Sequence, residues 1–181
     1  MDKQNIIIDD DVSPASLKPK TLLTWNEDII AKDCYINLNK ITFEESNGSF
    51  RFCRSNEEYN TGRHNFKIKI EKQGKENGEQ KDISIGVSWN STQIMDAGIY
   101  YFSDSHIYCS YYPTINHGFT QLYTTPPKCV EGDTVEIIVD FDNTTIEFII
   151  NENSIFSTKL CNNNKPLFLV AGMFSGILEF I

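Results

Sequence analysis

The sequence lacks several features that would point to common classes of protein. No apolar run approaches the roughly 18 residues of a membrane-spanning helix. The first residues have no basic stretch leading into an apolar core, so we expect no secretory signal. Lys and Arg number 16 against 25 Asp and Glu, and a net charge of -9 argues against nucleic acid as a partner. These absences predict an acidic cytoplasmic protein.

Recognisable catalytic and metal-binding motifs are also missing. The sequence has no CxxC pair, no histidines at the spacing of zinc ligands, no GxSxG turn and no Gly-rich phosphate loop. The cysteines are odd in number and widely spaced, which favours reduced thiols over a disulfide framework; they are Cys34, Cys53, Cys109, Cys129 and Cys161. We therefore expect neither a metal nor another cofactor.

The length and apolar content fit one domain. With 181 residues, 40% of them hydrophobic, the chain can bury one sizeable core. Residues 1–20 differ from the rest, because they contain three consecutive aspartates and two prolines. We interpret them as a tail or strap, and residues 21–181 as a single domain.

Apolar residues recur with the period of strands rather than helices. Short alternating runs separated by turn residues predict an all-β fold of about ten or more strands. The clearest hairpin joins residues 134–141 to 145–150, and its Asp142-Asn143 pair tolerates the left-handed backbone of a tight turn. Other predicted strands cover residues 64–70, 83–87, 154–160, 166–171 and 176–181, whereas the charged segment 71–82 is expected to be a solvated loop.

Five short motifs then stand in an order that resembles the SPRY domain family. They are TGRHNFKIKI at 61–70, ISIGVS at 83–88, GDTV at 132–135, DFDNTTIEFIIN at 140–151 and KPLFLVA at 165–171. The resemblance implies a bent antiparallel β-sandwich, similar to a concanavalin-like jelly roll. It also implies a non-enzymatic module that binds a short segment or surface of a partner protein through loops at one rim, as an adaptor or substrate-recognition element. The oligomeric state is left open.

The resemblance also implies three pieces of a partner site. The first is the segment 51–59, expected as a loop, in which Arg54 could hold a ligand carboxylate or instead pair with a neighbouring glutamate. The second is an apolar or aromatic side chain in the loop after the ISIGVS strand, and the third follows the KPLFLVA strand. The implied residues are Arg54, Glu57, Tyr59, Ile99, Tyr100, Met173, Phe174 and Ser175.

Other functions find weaker support in the residues. A lectin-like sandwich could stack sugars on Trp89, Tyr111 or Tyr112, although alternation along its strand points Trp89 inward. A hydrolase would need Cys109 and His117 to meet across a hairpin, with no evident third group to orient them. Asp140 and Asp142 have the spacing of a carboxylate pair, but their position favours turn formation. Exposed edge strands leave a self-assembling role open.

Overall fold

Two seven-stranded antiparallel sheets form the protein. The computed structural model describes residues 24–30, 34–44, 50–76, 79–80, 82–89, 105–110, 114–117, 120–123, 125–160 and 165–181. Within these ranges the chain contains strands and turns but no α-helix. None of the described residues therefore forms a helix that could span a membrane.

The first sheet carries the segments that matter for the candidate site. In spatial order its strands are β1 (Trp25–Ile30), β4 (Arg51–Ser55), β15 (Phe168–Met173), β8 (Ile83–Ser88), β9 (Ser105–Cys109), β10 (Thr114–His117) and β11 (Thr120–Tyr123). Neighbouring strands come from distant parts of the chain, since β15 lies between β4 and β8.

The second sheet is built around the longest strand. In spatial order it contains β14 (Asn153–Lys159), β13 (Thr145–Ile150), β12 (Thr134–Asp140), β5 (Arg63–Gln73), β16 (Gly176–Phe180), β3 (Lys40–Phe43) and β2 (Cys34–Asn37). A separate two-stranded hairpin pairs β6 (Lys75–Glu76) with β7 (Glu79–Gln80). The predicted all-β sandwich is confirmed.

Alternation along the strands produces the main core between the sheets. On β5, Phe66, Ile68 and Ile70 are buried, while the lysines between them are partly exposed. This pattern arises because successive side chains of a strand point to opposite faces. Trp25 closes one edge by stacking on Phe180, with ring centroids 4.0 Å apart. Trp89 is also buried in this core, so its predicted inward orientation is confirmed.

Both faces of the central strands of the first sheet are buried. Every residue of β4, β8, β9 and β15 is buried, including the polar ones. On the face turned away from the main core, a second apolar cluster contains Phe50, Phe52, Ile107, Cys109 and Val170. Strands with two buried faces do not show clean polar alternation, which is why the pattern failed to reveal β4.

Three local predictions need correction. The segment 51–59 is not wholly a loop, because residues 51–55 form β4. The segment 71–82 is not simply a loop either, since β5 continues to Gln73 and the β6–β7 hairpin follows. In the β12–β13 turn, the left-handed residue is Thr144, with φ of 54°. Of the predicted Asp142-Asn143 pair, Asn143 contributes by donating its backbone and side-chain amides to the carboxylate of Asp140.

The remaining strand predictions agree closely with the structure. The hairpin of β12 and β13 pairs in register from Val135 opposite Ile150 to Asp140 opposite Thr145. β14, β15 and β16 differ from their predicted bounds by at most two residues at either end. The predicted tail or strap at residues 1–20 lies outside the described residues, so that interpretation stays a prediction.

Candidate functional site

The predicted partner-site residues lie at two opposite ends of β15. Near the start of β15, Tyr59 forms a bridge with Leu167, and Arg54 pairs with Val170 and stacks on Phe168. At the other end Met173 pairs with Arg51. A six-residue strand is about 17 Å long, so the two groups cannot contact one small ligand residue together. We call residues 54–59 with Leu167 and Phe168 the Arg54 rim, and Phe50 with residues 173–175 the Phe174 rim.

Arg54 is the most unusual polar side chain at the Arg54 rim. Only 9% of the residue is exposed, and its guanidinium carbon lies 3.9 Å from the centroid of the Phe168 ring. Nε and Nη1 are buried and have no hydrogen-bond partner among the described residues. Burial lowers the pKa of Arg54, while the charge of Glu58 opposes that shift. Two buried guanidinium nitrogens without hydrogen-bond partners are unfavourable, so this group would gain from an incoming anion.

Glu57 has a structural partner inside the domain. Its carboxylate accepts hydrogen bonds from the Thr24 backbone amide at 3.4 Å and from Thr24 Oγ1 at 3.2 Å. Asn56 Nδ2 donates to Trp25 O at 3.0 Å. These bonds hold the segment after β4 against the start of β1. The sequence offered Glu57 or Glu58 as a surface partner for Arg54; Glu57 is positioned by Thr24, whereas Glu58 acts on Arg54 through its charge.

Tyr59 is held by backbone bonds and by neighbouring rings. Its N–H donates to Leu167 O at 2.9 Å, and the Leu167 N–H donates to Tyr59 O at 2.8 Å. The phenol packs against His64 and Phe66, with ring centroids 4.5 and 4.9 Å away. Burial, with a smaller contribution from Glu57, raises the pKa of Tyr59. Tyr59 thus offers a rigid, half-buried neutral phenol at the Arg54 rim.

Most side chains of the Phe174 rim are buried. The side chain of Met173 is fully buried in the main core, and Ser175 is also buried. Phe174 is half-buried and packs edge-on against Phe50, with centroids 5.1 Å apart. Of the three predicted residues, only Phe174 therefore has appreciable surface for a partner.

Ile99 and Tyr100 lie outside the described residues. The strands that flank their segment end and begin at the Arg54 rim, because Ser88 pairs with Phe168 on one side and with Ser105 on the other. Their assignment to a partner site stays a prediction, as do Tyr111 and Tyr112 as sugar-stacking residues. Trp89 is 4% exposed and therefore cannot offer its ring to a sugar.

The geometry does not support a nucleophile at Cys109. In the β9–β10 pair, Cys109 lies opposite Thr114 and His117 lies opposite His106. Three strand residues thus separate the thiol from the imidazole, about 10 Å along the sheet. Burial raises the pKa of Cys109 to about 11, which disfavours the thiolate that catalysis requires. In the part of the chain that the structure describes, no three His, Cys, Asp or Glu side chains cluster as metal ligands would.

Comparison with known proteins agrees with this architecture. The family model described as SPRY domain matches residues 63–180. The chain belongs to the SPRY domain family. A search of curated protein sequences found no match.

Solved structures show the same fold at low sequence identity. The SPRY domain of human HERC1 is 16% identical, with a TM-score of 0.65 over 86% of this chain and 96% of that chain. The TRIM65 PSpry domain is 13% identical, with a TM-score of 0.70 over 88% of each chain. A further human SPRY domain is 17% identical, with a TM-score of 0.65 over 82% of this chain and 94% of that chain.

Membership of the SPRY family supports a coarse functional statement. SPRY domains generally act as protein-interaction modules. The sequence pointed to Arg54 but missed Phe168, the ring on which its guanidinium stacks. Phe168 is diagonal to Arg54 across the β4–β15 pair, and that relation depends on strand order. A local sequence pattern carries no signal for it.

Proposed function

We propose that this SPRY domain binds a short segment of a partner protein at the Arg54 rim, without catalysing a reaction. The observation that carries the proposal is Arg54 itself, a guanidinium stacked on Phe168 with two buried, unpartnered nitrogens. In soluble proteins such groups normally have hydrogen-bond partners. A carboxylate from a bound segment would provide both charge and acceptors, and the planar guanidinium suits a carboxylate geometrically.

The surroundings of Arg54 favour a preformed site. The Glu57 carboxylate already accepts hydrogen bonds from Thr24, and the backbone bridge to Leu167 holds Tyr59 in place. Ser55 Oγ donates a hydrogen bond to Glu57 O at 3.1 Å. It also accepts one from the backbone amide of Leu169 on β15, at 3.1 Å. A rigid rim loses little conformational entropy on binding, which favours affinity. Ile99 and Tyr100 are proposed as additional contacts from the neighbouring segment.

We further propose a cytoplasmic adaptor or substrate-recognition role. Cys53, Cys109 and Cys129 are free thiols buried within the sandwich, and reduced cysteines are usual in that compartment. The excess of acidic residues disfavours nucleic acid and anionic membrane surfaces as partners.

The test is a peptide-display selection on the purified domain, repeated with one variant at each rim. Arg54→Ala removes the proposed anchor, and Phe174→Ala removes the accessible ring that follows the other end of β15. We expect an enriched motif with an acidic residue whose affinity falls roughly thirtyfold in Arg54→Ala, as for a hot spot worth about 2 kcal/mol. Phe174→Ala should bind as the wild type does.

Two controls separate loss of binding from loss of structure. Arg54→Lys keeps a positive charge but loses the planar fork, so we expect intermediate affinity. Thermal unfolding of each variant identifies any that are no longer folded at the assay temperature. Affinity within about twofold of wild type in a folded Arg54→Ala domain would refute the Arg54 rim, whereas selective loss in Phe174→Ala would assign binding to the other end.

A further inference from the structure

His106, at the start of β9, is a buried imidazole without a hydrogen-bond partner. The residue is 1% exposed, and in the described part of the chain neither Nδ1 nor Nε2 has a hydrogen-bond partner. Register places it between Val87 on β8 and His117 on β10. Trp89 lies edge-on, with ring centroids 5.7 Å apart, and the His117 ring lies 4.6 Å away.

The groups around His106 disfavour its protonation. Val87 and Trp89, from β8 and the residue after it, carry no charge. From β10 the facing group is His117, itself a potential cation whose Nδ1 lies 3.1 Å from Ser105 O. Burial, with a smaller contribution from the charge on His117, lowers the pKa of His106 to about 4. Among the described residues no carboxylate acts on His106 to offset these effects.

The strands on one side of His106 lie at an edge of the first sheet. β10 and β11 are its last two strands, and most of β11 is exposed. The register between them is irregular near Ile115, and Tyr123 of β11 stacks on Phe156 of the second sheet. Edge elements with few buried contacts open at lower free energy than central strands do. Lifting β10 and β11 would hydrate His106 while β8 and β15 stay paired.

We propose that His106 makes the β10–β11 edge an acid-sensitive switch, in which proton uptake by His106 holds the edge open. In the open state the imidazole is hydrated and titrates near its usual pKa of 6.5, whereas in the closed state it titrates at about 4. The open state therefore binds more protons between these values, so acidification favours it. The equilibrium constant for opening should rise by up to about tenfold per pH unit across this window. This regulation does not depend on whether the Arg54 rim binds a partner.

The test is hydrogen exchange, detected by mass spectrometry, from about pH 7 to about pH 4.5 at micromolar protein. Rates are corrected for the intrinsic pH dependence of exchange, and peptides from β9–β11 are compared with peptides from β12 and β13. We expect opening of β9–β11 to increase by more than tenfold over this range, with β12 and β13 changing much less. A flat profile in β9–β11, or an equal increase in both regions, would overturn the proposal.

Two variants identify the responsible group. His106→Leu removes the titrating ring at similar volume, so the pH dependence in β9–β11 should disappear. His64→Gln replaces a histidine outside the first sheet, whose Nε2 contacts Thr61 O, and it should retain the wild-type profile. If His106→Leu does not fold, the His106 ring is titrated by NMR in the wild-type domain. An unchanged profile in His106→Leu, or an ordinary titration near pH 6.5 in the native wild type, would refute the switch.

Discussion

Tyr108→Phe should destabilise the domain by removing two hydrogen bonds without changing the shape of the core. Tyr108 is fully buried on β9. Its hydroxyl donates to Pro127 O at 2.7 Å and accepts from the Cys129 backbone amide at 2.8 Å. The hydroxyl thus fastens the segment between β11 and β12 onto the first sheet. Burial is the main reason that the pKa of Tyr108 is raised above its ordinary value.

The expected loss of stability depends on what happens to each hydrogen-bond partner of the Tyr108 hydroxyl. The Cys129 amide is buried and would be left without an acceptor, which costs about 1–3 kcal/mol. Pro127 is exposed, so water can replace the lost donor and the cost there is at most about 1 kcal/mol. We therefore expect a loss of about 1–4 kcal/mol in the free energy of unfolding, or roughly 2–16 °C in Tm.

The assay is urea unfolding followed by tryptophan fluorescence, with Tyr35→Phe as the matched control. Tyr35 is 56% exposed on β2, so the same chemical change there should alter stability by less than about 0.5 kcal/mol. If Tyr108→Phe also lies within about 0.5 kcal/mol of wild type, the two hydrogen bonds do not hold the segment as described.

Three further substitutions or labels test other parts of the fold. Gly86→Ala would place a Cβ 2.2 Å from the His106 carbonyl oxygen, so we expect the free energy of unfolding, measured with a chemical denaturant, to fall by at least about 3 kcal/mol. A fall of less than about 1 kcal/mol would contradict the close approach of β8 and β9. Leu38→Asn should stabilise by about 0.5–1 kcal/mol in the same measurement, because Leu38 is exposed at a φ of 57° where asparagine is tolerated; destabilisation would show that Leu38 has a packing role. Iodoacetamide near neutral pH should alkylate half-buried Cys34 before Cys109, as read by peptide mass spectrometry; equal labelling rates in the native state would refute the burial of Cys109.

Much of the fold was predictable because many strands have one buried and one wet face. On β5, β12 and β13, apolar residues alternate with polar ones, and the structure places those strands side by side with few changes in their bounds. The order of short motifs from residue 61 onward was sufficient to indicate the SPRY family. Alternation also determined correctly that Trp89 points inward. Each of these properties depends on residues that are neighbours in sequence.

Other features depended on strand order, which local patterns do not encode. β4 was missed because both of its faces are covered, so RFCRS shows no polar alternation. The predicted partner site combined Arg54 with Phe174, yet the antiparallel pairing of β4 with β15 places Arg54 toward the start of β15 and Phe174 after its end.

The sequence by itself determined the fold class, the family and the face of most strand residues, since side-chain direction follows from the two-residue period of a strand. Tertiary structure alone decided that Arg54 stacks on Phe168 and that His106 is enclosed by Trp89 and His117. Phe168 comes from a strand distant in the chain from Arg54, whereas Trp89 and His117 approach His106 because β8 and β10 pair with β9. The charge and hydration of a side chain depend on which strands become its neighbours, and that is settled only when the sheets assemble.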